Sequence, residues 1–330
     1  MRISQNLIYT PYQNDLQTIQ SDIYNEQLRM ATGKNLTSTS DDPNSAVKVK
    51  NYNNLISKNE QYQSNILNTI NELQSAHESI STVSDDIYNI RNLAIDATQA
   101  GSQQSLNTLS NNIKGVLEDI ISTMNQDYNG ILIFGGTKTT IQSIKNDFPA
   151  SKGLPFEIIT NPPTTANPSG MEVQFYGNSK ERVVNKDSSG TEVVNITAQE
   201  IFGTNGTKIF DSIINLYNLM KYDANGVPRT SSAPFKGDDQ KKLDQYQKEI
   251  SDFIDTMNQS ASVVGTKLNR LNNLSESMAN QNTQLKAFRS EYDDTDFAQT
   301  SMNLAKDQAV LQYSMQVGSK LMNLSLFNFL

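Results

Sequence analysis

Apolar positions follow a seven-residue beat over the last third of the chain, with Leu243, Ile250, Met257, Val264, Leu271, Met278 and Leu285 each one heptad apart. Ile254, Ala261 and Leu268 supply the second position of the seam before Ser275 and Asn282 dilute it. A strict heptad predicts a long helix that buries one stripe against a partner helix with left-handed supercoiling. Ile250, Met257, Val264, Leu271 and Met278 are therefore the candidate intramolecular seam. Two segments offer a partner. One carries Ile66, Leu73, Ile80, Ile87 and Ala94 at the same spacing, with Ile70 and His77 in support; the other carries Leu106, Leu109, Ile113, Val116, Ile120 and Met124.

The two ends differ from this middle. Tyr12, Leu16, Ile19, Ile23 and Met30 recur at helical spacing up to Gly33, a natural helix stop. At the other end Leu304, Leu311, Met315 and Met322 make one stripe, while Val310, Val317, Leu321 and Leu324 make another well over 100° around the helix, at about 100° per residue. One partner helix cannot cover both stripes. A polar chain with such a helix expects burial from several directions, which an assembly supplies. Leu16, Ile19, Ile23, Leu304, Val310, Leu311, Met315, Val317, Leu321, Met322 and Leu324 form the candidate assembly interface.

Proline separates these helical stretches. There is none between Pro43 and Pro149 and none after Pro234, whereas five of the nine fall between Pro149 and Pro168. Within that centre Met171, Val173 and Phe175 alternate with Glu172 and Gln174, and Phe156–Ile159, Arg182–Val184 and Glu192–Ile196 read as further short strands. Ser189-Gly190, Asn205-Gly206 and Asn225-Gly226 are turn signals. The expected fold is mainly α: an elongated helical bundle or coiled coil formed by both termini, with a small antiparallel β domain inserted in the middle. Its expected parts are terminal segments 1–42 with 288–330, a helical rod of 43–144 with 201–287, and a β insert at 145–200.

Composition narrows the chemistry. The 330 residues contain no Cys and a single histidine, His77, so thiolate–zinc, iron–sulfur and multi-histidine sites are excluded. His77 lies on an apolar stripe and reads as a packing residue, so no catalytic site and no cofactor are expected. The net charge of −8 argues against a nucleic-acid partner. No run approaches the roughly 18 apolar residues of a membrane span, and the N-terminus lacks the apolar core of a cleaved secretory peptide. The acids Glu291, Asp293, Asp294 and Asp296 lack the glycine and terminal glutamate of a calcium loop and read as a solvated helix start. Gly135-Gly136-Thr137-Lys138 lacks the spacing of a phosphate loop and reads as a turn.

Between the first and second helices lies Gly33-Lys34-Asn35-Leu36-Thr37-Ser38-Thr39-Ser40-Asp41-Asp42-Pro43. Physically it is a helix stop followed by a start, with Asp42 as N-cap and Pro43 at the first helical position. It resembles the Gly-Lys-x-x-x-x-x-Ser-Asp-Asp-Pro signature of the flagellin family, in its usual place after a first helix of about thirty residues. Within the family, Met1-Arg2-Ile3-Ser4, Ile131-Leu132-Ile133-Phe134-Gly135-Gly136 and the ending Leu324-Ser325-Leu326-Phe327-Asn328-Phe329-Leu330 look most like the members that join hook to filament. Arg91-Asn92-Leu93-Ala94-Ile95-Asp96 lacks the Glu and Gln of the Arg-x-x-Glu-Leu-Ala-x-Gln stretch often found in filament flagellins.

The resemblance implies a secreted structural subunit of the bacterial flagellum at the hook–filament junction, exported unfolded by the flagellar type III apparatus. It implies terminal segments that order only on insertion into the axial tube. The implied partners are hook-associated protein 1 on the hook side, flagellin on the filament side, copies of the chain itself in a ring, and a soluble export chaperone on the C-terminal segment. Two alternatives stand beside it: a filament flagellin, and a secreted coiled-coil adhesin that uses the β insert.

Overall fold

The computed structural model describes residues 3–99, 103–187, 190–229, 235 and 237–327, with residues 3–8, 103, 104 and 321–327 described by backbone alone. Eight α-helices are present among them: α1 (Ile3–Thr32), α2 (Pro43–Thr98), α3 (Gln103–Met124), α4 (Ile141–Asp147), α5 (Ala198–Phe202), α6 (Lys208–Lys221), α7 (Asp238–Asp293) and α8 (Phe297–Phe327). The six strands pair off as three antiparallel hairpins: β1 (Asp127–Tyr128) with β2 (Ile131–Leu132), β3 (Phe156–Thr160) with β4 (Met171–Phe175), and β5 (Val183–Asn185) with β6 (Thr191–Val193). The chain divides into two compact units, Met1–Gln61 with Met278–Leu330, and Tyr62–Ser277.

In the larger unit α7 buries its heptad positions. Leu243, Ile250, Met257, Val264 and Leu271 are each 1% exposed or less. The partner is the second half of α2, whose Ile66, Leu73, Ile80, Ile87 and Ala94 are equally buried. The two run antiparallel, as side-chain bonds from opposite ends of the pair require: Gln63 Nε2 donates to the Ser275 carbonyl at 3.5 Å and Gln247 Nε2 to the Ala94 carbonyl at 2.8 Å. The second candidate partner lies elsewhere. The stripe of α3 packs against α6, whose Ile209, Phe210, Ile213, Leu216 and Met220 are buried on more than one face.

The short strands are antiparallel, as expected, and form separate hairpins that lean on helices. Register in β3–β4 sets Phe156 opposite Phe175 and Ile158 opposite Val173. This puts Phe156 into an aromatic cluster with Phe175, Phe202 and Phe210, at ring-centroid distances of 4.9, 5.6 and 5.8 Å. Asn125, just past α3, clamps β3 by accepting from the Phe156 N–H at 2.9 Å and donating to its carbonyl at 2.8 Å. The β5–β6 hairpin is tied by ion pairs, Arg182 to Glu72 on α2 and Arg270 on α7 to Glu192. A two-stranded hairpin is marginal alone, so its side chains must bury on a neighbour.

Helix starts follow capping chemistry. Thr197 and Glu200 form a reciprocal capping box before α5, and Thr140 with Ser143 does the same before α4. Gly136 adopts φ +69°, and a Cβ there would meet the Asn178 carbonyl oxygen at 2.0 Å. The Gly135-Gly136 segment is thus a turn that receives the chain after β4. Asn178 fastens it by accepting from the Thr137 N–H at 3.0 Å.

Candidate assembly surface

The smaller unit joins the two ends of the chain. The stop-and-start segment forms as its residues dictate: Gly33 ends α1 at φ +70°, and the Asp42 carboxylate accepts from the Asn44 and Ser45 N–H groups at 3.0 and 3.1 Å ahead of Pro43. The Ser45 hydroxyl, then its N–H, holds the Asp42 carboxyl below the ordinary range, while the Thr37 hydroxyl does the same for Asp41. The same segment is sewn to the turn between α7 and α8. Asn35 N–H donates to the Asp293 carbonyl at 2.7 Å, Thr295 N–H donates to the Gly33 carbonyl at 3.0 Å, and Lys34 Nζ lies 3.4 Å from the Asp293 carboxylate.

This corrects one expectation. Asp293 is buried and paired with Lys34, so it does not belong to a solvated helix start. Asp296 does cap α8, accepting from the Ala298 and Gln299 N–H groups at 2.9 and 3.1 Å. An aromatic group of Tyr52, Phe288 and Tyr292, with Lys48 Nζ 4.4 Å from the Tyr292 ring centroid, packs beside the joint. Where the heptad is diluted, Asn282 meets Asn59. The Asn59 amide donates to Asn282 Oδ1 and to the Met278 carbonyl, both at 3.1 Å, making a buried polar layer in the seam.

Beyond the joint α1 packs on α8. The Tyr12 hydroxyl donates to the Ser314 carbonyl at 2.7 Å, and Gly318 lets the ring in, since a Cβ there would lie 2.0 Å from the Tyr12 oxygen. Leu16, Ile19 and Ile23 on α1 and Leu304 and Leu311 on α8 are half-buried. Met315 is exposed although it shares the side of α8 that holds Leu304, Leu311 and Gly318. The opposite side is bare: Met302, Val310, Tyr313 and Val317 are 60%, 38%, 68% and 53% exposed. At about 100° per residue these four fall within one quadrant of α8, turned away from the Leu304–Leu311 side. The side chains of Leu321, Met322 and Leu324 lie outside the described residues. Met302 was missed in the sequence because Lys306 interrupts its helical spacing to Val310, and Tyr313 was missed although it sits at helical spacing between Val310 and Val317.

The seam residues Ile250, Met257, Val264, Leu271 and Met278 are all buried in α7. His77 is half-buried on α2, and its Nδ1 has no hydrogen-bond partner among the described residues. Among those residues no group of three or more His, Asp or Glu side chains is placed to hold a metal ion, and no helix is long and apolar enough to cross a membrane.

With α1 paired to α8 in one unit and the three hairpins held in the other, this is a mainly helical protein that brings its first and last helices together. The model of the bacterial flagellin N-terminal helical region matches residues 3–139, and that of the C-terminal helical region matches residues 248–330. The chain belongs to the flagellin family. Its fold is shared with a flagellar hook-associated protein from Vibrio parahaemolyticus at TM-score 0.61 and 22% identity, over 77% of this chain and 100% of that one. Hook-associated protein 3 from Legionella pneumophila superposes at TM-score 0.57 and 12% identity, over 74% and 98% of the two chains. FlgL from Xanthomonas campestris gives 0.53 and 11%, over 72% and 98%. No curated protein sequence matches the chain.

Proposed function

We propose that this chain is a non-catalytic structural subunit at the hook–filament junction of a bacterial flagellum, most like hook-associated protein 3. The observation that carries the proposal is the uncovered quadrant of α8: α1 takes one side, while Met302, Val310, Tyr313 and Val317 face outward. Apolar surface of this kind is stabilised when neighbouring chains cover it, at about 25 cal/mol per Å² removed from water. The fold similarity to hook-associated proteins and the missing Arg-x-x-Glu-Leu-Ala-x-Gln stretch support the junction over the filament.

In this reading residues 1–42 and 288–330 insert into the axial tube, 43–144 with 201–287 form the rod, and 145–200 is a spacer. Neighbours are copies of the chain in a ring, hook-associated protein 1 below and flagellin above. Export runs through the flagellar type III channel, with a soluble chaperone holding the C-terminal segment. Ordering a terminal helix costs about 1–2 kcal/mol per residue, so the paired α1 and α8 are the assembled form, completed only where neighbours wait.

The test is addition of the purified chain to isolated hooks carrying hook-associated protein 1, followed by electron microscopy. A short deposit at hook ends that stops growing, and that Tyr313→Asp and Val317→Asp abolish, is expected. Long filaments grown from the chain alone would establish a flagellin instead, and undiminished deposition by both variants would remove α8 from the interface.

A further inference from the structure

The bare quadrant of α8 carries charge as well as apolar surface. Lys306 and Lys320, the basic residues of α8, are both exposed and fall among Met302, Val310, Tyr313 and Val317 at about 100° per residue. The acid of the helix, Asp307, is half-buried on the side of Leu311 and Gly318. The uncovered face is therefore apolar and positive. On α1 the sign is reversed. Its exposed acids, Asp15 and Asp22, stand one heptad apart and almost in line along the helix, whereas Glu26 is buried and lies 3.3 Å from Arg29. Within one chain neither Asp22 nor Lys306 pairs with an opposite charge among the described residues.

The register of α1 on α8 sets these groups level with one another. The two helices run antiparallel from the joint, where the Thr295 N–H donates to the Gly33 carbonyl at 3.0 Å. Counted away from Gly33 and Thr295, Asp22 and Lys306 each stand eleven residues along, and Asp15 and Tyr313 each stand eighteen. At about 1.5 Å per residue the first pair shares a height about 16 Å from the joint and the second a height about 27 Å from it. The Tyr12 contact with Ser314 and Gly318, farther along still, shows that this register holds over the length of the pair.

Copies in a ring are related by rotation alone, so with α1 and α8 lying along the tube every residue keeps its height from one copy to the next. A heterologous contact repeated by such a rotation closes on itself. Where α8 of one copy meets α1 of the next, Lys306 faces Asp22 and the Tyr313 hydroxyl faces the Asp15 carboxylate. Two α8 faces set side by side would instead oppose Lys306 to Lys306 and Lys320 to Lys320, and like charges brought together in an interface are costly.

We infer that the bare face of α8 docks on α1 of the neighbouring copy of this chain, with Lys306 against Asp22 and Tyr313 against Asp15. This rests on the ring of copies proposed above, and it adds which helix covers the face and in what register.

Deposition of the full chain at low salt, on hooks that carry hook-associated protein 1, tests it. Lys306→Glu or Asp22→Lys alone turns attraction into repulsion at every contact of the ring and should cut the deposited amount about tenfold. The chain carrying both substitutions should return to within about twofold of wild type, since the pair is restored with its signs exchanged. A second readout uses the absence of cysteine from the chain. When Asp22→Cys chains are mixed with Lys306→Cys chains and deposited, a short bis-maleimide should join one variant to the other, and neither variant alone should give dimers. Single charge variants that deposit like wild type, a double variant no better than the singles, no mixed dimer, or Lys306→Cys chains joined to one another would each overturn the inference and leave the junction reading standing. Wild-type chain that never deposits on hooks would overturn both.

Discussion

Val264→Asp measures how much of the larger unit depends on the α7 seam. Val264 is fully buried, and α7 is bonded to α2 on both sides of it, at Ser275 and at Gln247. Losing a buried valine forfeits about 1.5–3 kcal/mol of apolar burial. Buried among apolar seam residues, the new carboxylate takes up a proton at pH 7, which from an ordinary value near 3.9 costs about 4 kcal/mol. The total of about 6 kcal/mol is a large share of the 5–15 kcal/mol typical of a domain. At about 2–4 °C per kcal/mol the melting temperature should drop by roughly 12–24 °C.

The pH dependence separates the two contributions. The introduced carboxyl titrates higher in the folded than in the unfolded chain, so its penalty is absent below the unfolded value, grows as pH rises above it and levels off beyond the folded one. Calorimetry of wild type, Val264→Asp and Val264→Ala from pH 4 to 8 reads this directly. The Asp variant should approach the Ala variant near pH 4 and fall away above it. A loss under about 1 kcal/mol at pH 7, or one independent of pH, would mean that position 264 reaches water and that the seam does not hold the unit together.

Three smaller predictions rest on individual contacts. In the assembled form Gly318→Ala should bring none of the roughly 1 kcal/mol that glycine-to-alanine usually yields in a helix, because its Cβ displaces the Tyr12 hydroxyl; in a Tyr12→Ala background the gain should reappear in the thermal dissociation of chains deposited on hook ends. Asp86 is pushed up by burial and then by Asp119 and Asp85, so its ionised form costs stability at neutral pH. Asp86→Asn should raise the melting temperature at pH 7, with the advantage fading as pH falls toward the ordinary value of 3.8. Asn59→Leu should cost about 1–3 kcal/mol in denaturant titration by stranding the polar layer, and Asn59→Leu with Asn282→Leu should recover most of it.

The long helices were legible because burial on one side of a helix leaves a periodic trace. The heptad from Leu243 to Met278 is buried, and the stop at Gly33 and start at Pro43 lie at helix ends. What the pattern could not carry was pairing. Asn282 read as a weakening of the stripe, whereas it marks a polar layer whose partner, Asn59, lies more than two hundred positions away. Asp293 looked solvated because its cation, Lys34, stands at the opposite end of the sequence. The strands near 156–193 were visible by alternation, but their separation into hairpins depends on Phe202 and Phe210, on helices buried on more than one face and so without a simple stripe. The double stripe of α8 was legible in outline, and the face that stays bare became definite only once α1 occupied the other.

The central claim is that the terminal helices complete their folding on assembly, and amide hydrogen exchange tests it most directly. The dispersed chain should be compared with the same chain deposited on hook ends. The account predicts fast exchange across α1 and α8 in the dispersed chain, slow exchange in the α2–α7 seam throughout, and strong protection of α1 and α8 after deposition. Terminal helices already as protected as the seam in a dispersed monomer, and unchanged on hooks, would contradict it.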